Sequence, residues 1–368
     1  LAEPLKDMYN EEFLLQLAQK IQSVFPAFSV ESFIDNILDP QWEQKGLKER
    51  MRTITLSLGA SLPSSYNEAI SILLKIHPSC QGFPYLIFPD FVEVYGREKK
   101  EWDLSIRALE IFTTHSSAEF AVRPFIMDDS ESMMKQMAVW SHSENEHVRR
   151  LSSEGCRPRL PWGQALVMFK KDPEPIIKIL EQLKADPSLY VRKSVANNLN
   201  DIAKDHPELV LDIARRWLGS HPHTDWIVRH GCRTLIRKAN PEVLSLFGYS
   251  ESSADSALIT HAQLEVNPSS VSIGGESRLN YEIHLREGDA ARIRIEYGID
   301  FVKSGGKVSR KAFLLSDKTV SGGAKVHGTR VHRWSNLTTR RHYPGLHRIV
   351  LLVNGQEVAA TELDLLDS

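Results

Sequence analysis

Cysteine is scarce in this chain. Only Cys80, Cys156 and Cys232 occur, far apart and outside any Cys-x-x-Cys pair. An odd, scattered set excludes a disulfide scaffold and a thiolate zinc site, and fits buried thiols in a reducing compartment. His221-Pro222-His223 has no Cys or carboxylate cluster beside it, so it reads as a loop and no metal is expected. Long apolar runs are missing as well: no stretch approaches the ~20 residues of a membrane-spanning helix. The first residues, Leu1-Ala2-Glu3-Pro4-Leu5-Lys6-Asp7, carry neither the basic start nor the apolar core of a secretory leader. A cytoplasmic protein without membrane contact is expected. Net charge is nearly absent too, at −2 over 368 residues, which excludes a chain that is polyanionic or polycationic throughout.

The small net charge hides an asymmetry. Residues 146–240 hold 17 Lys and Arg against 11 Asp and Glu, while residues outside 146–240 and 255–368 hold 13 against 23. A basic middle behind an acidic N-terminal part is a mild signal for a polyanion partner. Up to about residue 250 the pattern is helical, with apolar residues three and four apart, as in Phe13-Leu14-Leu15 to Ile21 and Ile176-Ile177 to Leu183. Two regularities interleave. Pro-Glu recurs at 173, 207 and 241, each 34 residues on, and Pro followed by an acid suits a helix start. Ile106-Arg107, Val148-Arg149, Val191-Arg192 and Val228-Arg229 recur at spacings of 42, 43 and 37. A period near 40 with two helices per unit is the signature of a HEAT-like array.

Composition shifts at Gly248-Tyr-Ser-Glu-Ser-Ser-Ala-Asp255, after which the period becomes two. Ser277–His284 and Arg292–Tyr297 alternate, and Ile349-Val-Leu-Leu-Val-Asn354-Gly355-Gln-Glu-Val-Ala reads as two strands around an Asn-Gly hairpin turn. About seven short strands suggest an immunoglobulin-like sandwich. The expected organisation is an all-α HEAT-like repeat solenoid over residues 1–250, a linker at 251–260, and an all-β immunoglobulin-like sandwich over 261–368, each folding on its own core.

A helical wheel laid on each Val-Arg unit places Val191, Val195, Asn198 and Ile202 on the buried stripe. Lys193, Asn197, Asn200 and Asp201 fall opposite, as do Arg150, Glu154 and Arg157 in the preceding unit and His230 in the following one. Stacked repeats align such positions into one surface, here basic and polar with two carboxylates, Glu154 and Asp201. The arginine after each Val lies on another flank and braces neighbouring repeats. Acids on a phosphate-binding surface need a reason. Either each orients an arginine, or the carboxylates stabilise a cation and position a water. The segment Arg149-Arg150-Leu-Ser-Ser-Glu154-Gly-Cys-Arg157-Pro-Arg159-Leu-Pro-Trp162 joins four arginines, one carboxylate and a tryptophan. Trp162 either stacks on a cationic base or sugar or packs the loop after Pro161. Arg150, Arg157, Arg159 and Lys193, with Asn197 and His230, are the candidate DNA contacts of the array. Arg340 and Arg341, in the run Thr338-Thr339-Arg340-Arg341-His342-Tyr343-Pro344-Gly345, are those of the sandwich, whose end loops suit binding.

The stretch Ser153-Glu154-Gly-Cys-Arg157-Pro-Arg159-Leu-Pro-Trp162, with Val191-Arg-Lys-Ser-Val-Ala-Asn197-Asn198-Leu-Asn-Asp201 to Glu208 and Trp226-Ile-Val-Arg-His to Lys238, resembles the AlkC branch of HEAT-like DNA alkylation repair glycosylases. The resemblance covers roughly residues 1–250, and the sandwich resembles an extra C-terminal domain that some AlkC proteins carry. It implies excision of positively charged alkylated bases such as N3-methyladenine and N3-methylcytosine from double-stranded DNA. It also implies no metal or nucleotide cofactor, and a bacterial enzyme held at the nucleoid through DNA. It assigns catalysis to Glu154 and Asp201, with Trp162 beside them. The Trp-Asp arrangement of the related AlkD group, in which the lesion need not be flipped, is not reproduced here. On residue types alone a non-catalytic repeat scaffold, or a protein that only binds distorted DNA, stays open. A monomer is expected in each case.

Overall fold

The computed structural model describes residues 4–249, 257–337 and 340–367. Its helices are α1 (Glu11–Val24), α2 (Val30–Asp35), α3 (Leu47–Ser61), α4 (Tyr66–Ile76), α5 (Ile87–Tyr95), α6 (Trp102–Thr113), α7 (Val122–Asp128) and α8 (Ser130–Trp140), then α9 (Glu146–Glu154), α10 (Val167–Lys171), α11 (Glu174–Leu183), α12 (Leu189–Ile202), α13 (Pro207–Trp217), α14 (Pro222–Gly231), α15 (Arg233–Arg237) and α16 (Pro241–Leu246). The strands are β1 (Ile259–Asn267), β2 (Ser270–Ser272), β3 (Glu276–Leu285), β4 (Ala291–Val302), β5 (Val308–Val320), β6 (Lys325–Arg333), β7 (Gly345–Val353) and β8 (Gln356–Leu366).

Both sequence regularities mark helices. The three Pro-Glu pairs open α11, α13 and α16, and the Ile/Val-Arg elements lie one each on α6, α9, α12 and α14. Helix α9 packs against α6 and α12, and α12 against α14, so the Val-Arg helices form a row; α8 and α11 pack against each other and against α9. Val148, Val191, Val195, Val228 and Ile202 are buried in this row. The bracing expected of the recurrent arginine is seen twice. Arg149 Nε donates to Asp186 Oδ2 at 2.7 Å, in the α11–α12 connection. Arg192 Nη1 donates to the Asp186 and Pro187 carbonyls at 2.9 and 2.7 Å.

The chain divides into two compact units. One unit holds the residues up to His206 together with Trp217–Gly231; the other holds Pro207–Arg216 and everything from Cys232 on. The last helices therefore side with the sandwich. Their C-terminal end is tied to β4 and β5: Tyr249 donates its hydroxyl to Asp317 Oδ2 at 2.7 Å, and Arg292 of β4 stands over the Tyr249 ring with Cζ 5.2 Å from its centroid. A cut near residue 255 removes these partners of Tyr249. Most of the expected linker, residues 251–256, lies outside the described residues.

The sandwich packs a three-stranded sheet, β1-β3-β6, on a five-stranded one, β2-β8-β7-β4-β5, with all pairs antiparallel except β2 with β8. Alternate residues of β3, β4 and β7 face inward, and Ile283, Ile293, Ile295, Ile299, Ile349 and Leu351 are fully buried around Trp334. The Asn-Gly turn joins β7 to β8, with φ of 49° at Asn354 and 77° at Gly355. Both lie in the left-handed region that a tight two-residue hairpin turn requires.

Candidate active site

Local sequence sets the ends of the two helices that carry the site. Asn145 caps α9 by accepting from His147 N at 2.9 Å, and Ser188 caps α12 by accepting from Tyr190 N at 3.2 Å. Helix α9 stops at Gly155, where a Cβ would lie 2.6 Å from Val122 Cγ2, so only glycine allows α7 to approach. Between the helices, Ser153 Oγ meets Ser194 Oγ at 2.6 Å, and Asn198 Nδ2 donates to Ser153 O at 2.8 Å. These buried polar contacts fix the register of α9 on α12. Cys156 lies beside them, its thiol pushed up to about 12 by burial. All three cysteines are buried and unpaired, as their spacing indicated.

This register brings Glu154 and Asp201 to opposite sides of one guanidinium. Arg157 donates from Nη1 to Glu154 Oε1 at 2.7 Å and from Nε to Asp201 Oδ2 at 2.9 Å. Its Nη2 also lies 2.9 Å from Asp201 Oδ2. The three residues are 5 %, 2 % and 7 % exposed for Glu154, Asp201 and Arg157. Asp201 Oδ1 accepts from Lys204 Nζ at 2.9 Å. Arg150 Nη2 lies 3.5 Å from Glu154 Oε1, while its Nη1 donates to Ser117 Oγ at 3.0 Å and pairs with Glu119. The Arg150 guanidinium also stacks on the Tyr190 ring, 4.9 Å from its centroid. Asp201 thus has both oxygens engaged. Glu154 Oε2, among the described residues, receives no hydrogen bond.

The arginines change role in this geometry. Arg157 was expected to meet phosphates, but it is buried with its donors spent on two carboxylates. Burial opposes its charge and the Glu154 and Asp201 carboxylates outweigh that, raising its pKa. Arg150 is likewise held among Glu119, Glu154 and Tyr190. Arg159 is more open and pairs bidentately with Asp205, at 2.6 Å from Nη2 and 3.2 Å from Nε. Lys193 is exposed, Asn197 is half-buried, and His230 is half-buried with its ring stacked 5.0 Å from that of Trp226.

Trp162 stands on the loop after α9. Its ring belongs to a residue 61 % exposed, and its backbone has a φ of 62°, a conformation uncommon outside glycine. The loop is held from below by Arg123 of α7, which donates from Nη1 to the carbonyls of Gly155 and Arg157, both at 2.9 Å, and from Nε to that of Gln164 at 2.6 Å. Arg123 is fully buried, and burial brings its pKa down to about 10. Sequence reasoning missed Arg123, Glu119, Tyr190 and Lys204. The available signal for Arg123 was a lone cation within Phe120-Ala-Val-Arg-Pro-Phe-Ile126.

In the sandwich, Arg340 and Arg341 differ. Arg340 is half-buried, its Cζ 4.8 Å from the Phe301 centroid; Arg341 is exposed beside Tyr343. Thr338 and Thr339 of the same run lie outside the described residues. Among the described residues no group of three or more His, Cys, Asp or Glu side chains could hold a metal ion, and His221 and His223 are an edge-on ring pair. No described helix is long and apolar enough to cross a membrane.

Comparison with known proteins fits this arrangement. Residues 100–235 match the family described as "DNA alkylation repair enzyme", and residues 260–367 match "Uncharacterised protein YhaZ, C-terminal Ig-like domain". The chain is 46 % identical to the YhaZ protein of Bacillus subtilis (strain 168) over 352 residues, 96 % of each chain. Its structure is similar to that of the alkylpurine DNA glycosylase AlkC of Pseudomonas fluorescens bound to DNA containing an abasic site analog, with a TM-score of 0.93 and 38 % identity over 99 % of this chain and 100 % of that one. With its helical carboxylate site and its C-terminal immunoglobulin-like domain, this chain belongs to the AlkC-type family of DNA alkylation repair enzymes.

Proposed function

We propose that this protein is a monofunctional DNA glycosylase that removes positively charged alkylated bases, of the N3-methyladenine and N3-methylcytosine type, from duplex DNA. The observation that carries the reading is the Glu154–Arg157–Asp201 bridge. It fixes two carboxylates on adjacent helices and leaves one oxygen, Glu154 Oε2, without a hydrogen bond. A cationic base already leaves well, so the bond between C1′ and the base nitrogen breaks without a strong general acid, and the base departs neutral. Positive charge then develops on the sugar. Glu154 Oε2 stabilises that charge and orients the water that attacks C1′. Asp201 acts through Arg157, which it anchors. Trp162 offers a ring to the lesion-bearing nucleotide, and Arg159, Lys193, Asn197 and His230 supply backbone contacts. The lesion stays in the duplex, since nothing in this chemistry requires a base to be extruded into a pocket.

The test is release of methylated base from alkylated duplex DNA. Glu154→Gln keeps the shape and removes the charge, so the rate should fall by roughly 10²–10³-fold, while DNA affinity holds or rises. Asp201→Asn should also lose activity, and its loss should come with a displaced Arg157. Wild-type rates in both variants would mean the carboxylates only orient arginines, and a scaffold would release no base in any variant.

A further inference from the structure

Helix α3, in the N-terminal part of the chain, reaches the site: Lys48 donates its ammonium to the backbone carbonyl of Trp162, 114 residues away. The ammonium also lies over the Phe120 ring, 4.3 Å from its centroid. No carboxylate pairs with it among the described residues. The two nearby acids, Asp90 and Glu93 of α5, are taken by Arg52, at 2.8 and 2.7 Å. Partial desolvation of the ammonium is the main cause of a lowered Lys48 pKa. A lysine held in this way, on a carbonyl when carboxylates stand nearby, is placed for that carbonyl.

The carbonyl belongs to the residue with the unfavourable backbone. A tryptophan at a φ of 62° persists only where its surroundings over-determine it. Arg123 fixes the loop on either side, through the carbonyls of Gly155, Arg157 and Gln164. None of these bonds is to Trp162 itself. Lys48 supplies the missing constraint at the strained residue, and the ring it steadies is the most exposed tryptophan of the site.

We infer that Lys48 is a positioning residue for base excision: from α3 it locks the Trp162 backbone, so that the ring is a preformed stacking surface for the damaged nucleotide. The inference rests on the reading of Trp162 as a DNA-facing ring. Preorganisation of this kind raises the rate at saturating DNA more than it raises affinity, because the bound nucleotide is already aligned. Lys48 is itself an exposed residue, so its replacement leaves the fold intact.

The experiment is single-turnover release of N3-methyladenine from methylated duplex DNA, with binding measured across a salt series. The proteins are the full-length wild type, Lys48→Met, Lys48→Arg, Trp162→Ala and the Lys48→Met/Trp162→Ala double variant. Lys48→Met should lower the rate at saturating DNA by about 10-fold, below the 10²-fold that a 1 Å misplacement can cost. Its salt slope should be unchanged. Lys48→Arg, which can still donate to the carbonyl, should recover most of the rate. In the Trp162→Ala background Lys48→Met should cost nothing more. A wild-type rate in Lys48→Met with a slow Trp162→Ala overturns the role of Lys48 alone. A salt slope reduced by about one in Lys48→Met, with or without the Trp162 ring, makes Lys48 a phosphate contact and overturns the inference. A wild-type rate in Trp162→Ala sinks the reading of Trp162, and the inference with it, while leaving Glu154 untouched.

Discussion

Replacing Arg157 by methionine separates two roles that the residue cannot hold together. If it tracks a phosphate, it contributes to DNA affinity and little to stability. If it is the bridge described above, it contributes to stability and nothing to the salt dependence. Its Nη1 and Nε lie 2.7 and 2.9 Å from Glu154 and Asp201, and all three residues are buried. Removing one member of a buried ionic cluster costs about 3–5 kcal/mol, because the remaining charges keep their desolvation penalty and lose their partner. Here Lys204 still partners Asp201 and Arg150 stands near Glu154, which places the loss toward the lower end, about 3 kcal/mol. At ~2–4 °C per kcal/mol for a domain of this class, Tm should fall by about 6–12 °C. Adding Glu154→Gln to Arg157→Met should restore part of it. The slope of log affinity against log salt should stay at its wild-type value, whereas loss of a phosphate contact lowers it by about one. Thermal melts and binding titrations at several salt concentrations suffice. An unchanged Tm with a shallower slope would refute the bridge.

Two further predictions concern the sandwich. His332 and His342 are buried among Phe301, Phe313 and Trp334, and burial draws both down to about 4. The folded state refuses protons that the unfolded chain takes up near pH 6.5. Stability is therefore fully present above that pH and is lost as pH falls toward 4, by at most roughly 3 kcal/mol for each histidine. Acid titration followed through the Trp334 environment by near-ultraviolet circular dichroism should show this loss, reduced in His332→Gln; identical curves for the two proteins would contradict it. Replacing Arg340 and Arg341 by alanine should weaken DNA binding and base release together without lowering Tm by more than a few degrees. Equal affinity in that double variant would assign the loop to another partner.

Much of the site was legible because the recurring Val-Arg pairs carry phase information. Taking each Val as zero put Glu154 and Asp201 near one another, and the Pro-Glu pairs gave the helix starts. The wheel erred in one respect. It set Asn200 and Asp201 on an open face, whereas α12 is buried nearly all round, through Ser194, Ala196, Asn200 and Asp201 as well as its apolar stripe. A wheel reads one helix, and the burial of α12 comes from α9 on one side and α14 on the other. The same limit hid Arg123, Glu119 and Lys48. Val122-Arg123 looks like a repeat dipeptide but falls out of phase with Val148, and its side chain serves carbonyls that no spacing rule announces. The sandwich was easier: period-two alternation and one Asn-Gly turn recovered β3, β4, β7 and β8. The helical tail up to Tyr249 reads by secondary structure as part of the array, while the Tyr249 hydroxyl bonds to Asp317 of β5 and its ring meets Arg292 of β4.

The bridge also bears on how the site empties. Glu119, Glu154 and Asp201 are matched by Arg150, Arg157 and Lys204, so the formal charges of this cluster cancel. An electroneutral patch has no standing attraction for counterions that a substrate must displace. Its open acceptor, Glu154 Oε2, holds a positive group more strongly than a neutral one. Once the glycosidic bond is broken, the methylated base is neutral and that hold disappears. On the proposed chemistry the free base is a poor competitor for the next lesion, and turnover is set by how quickly the protein lets go of the abasic strand.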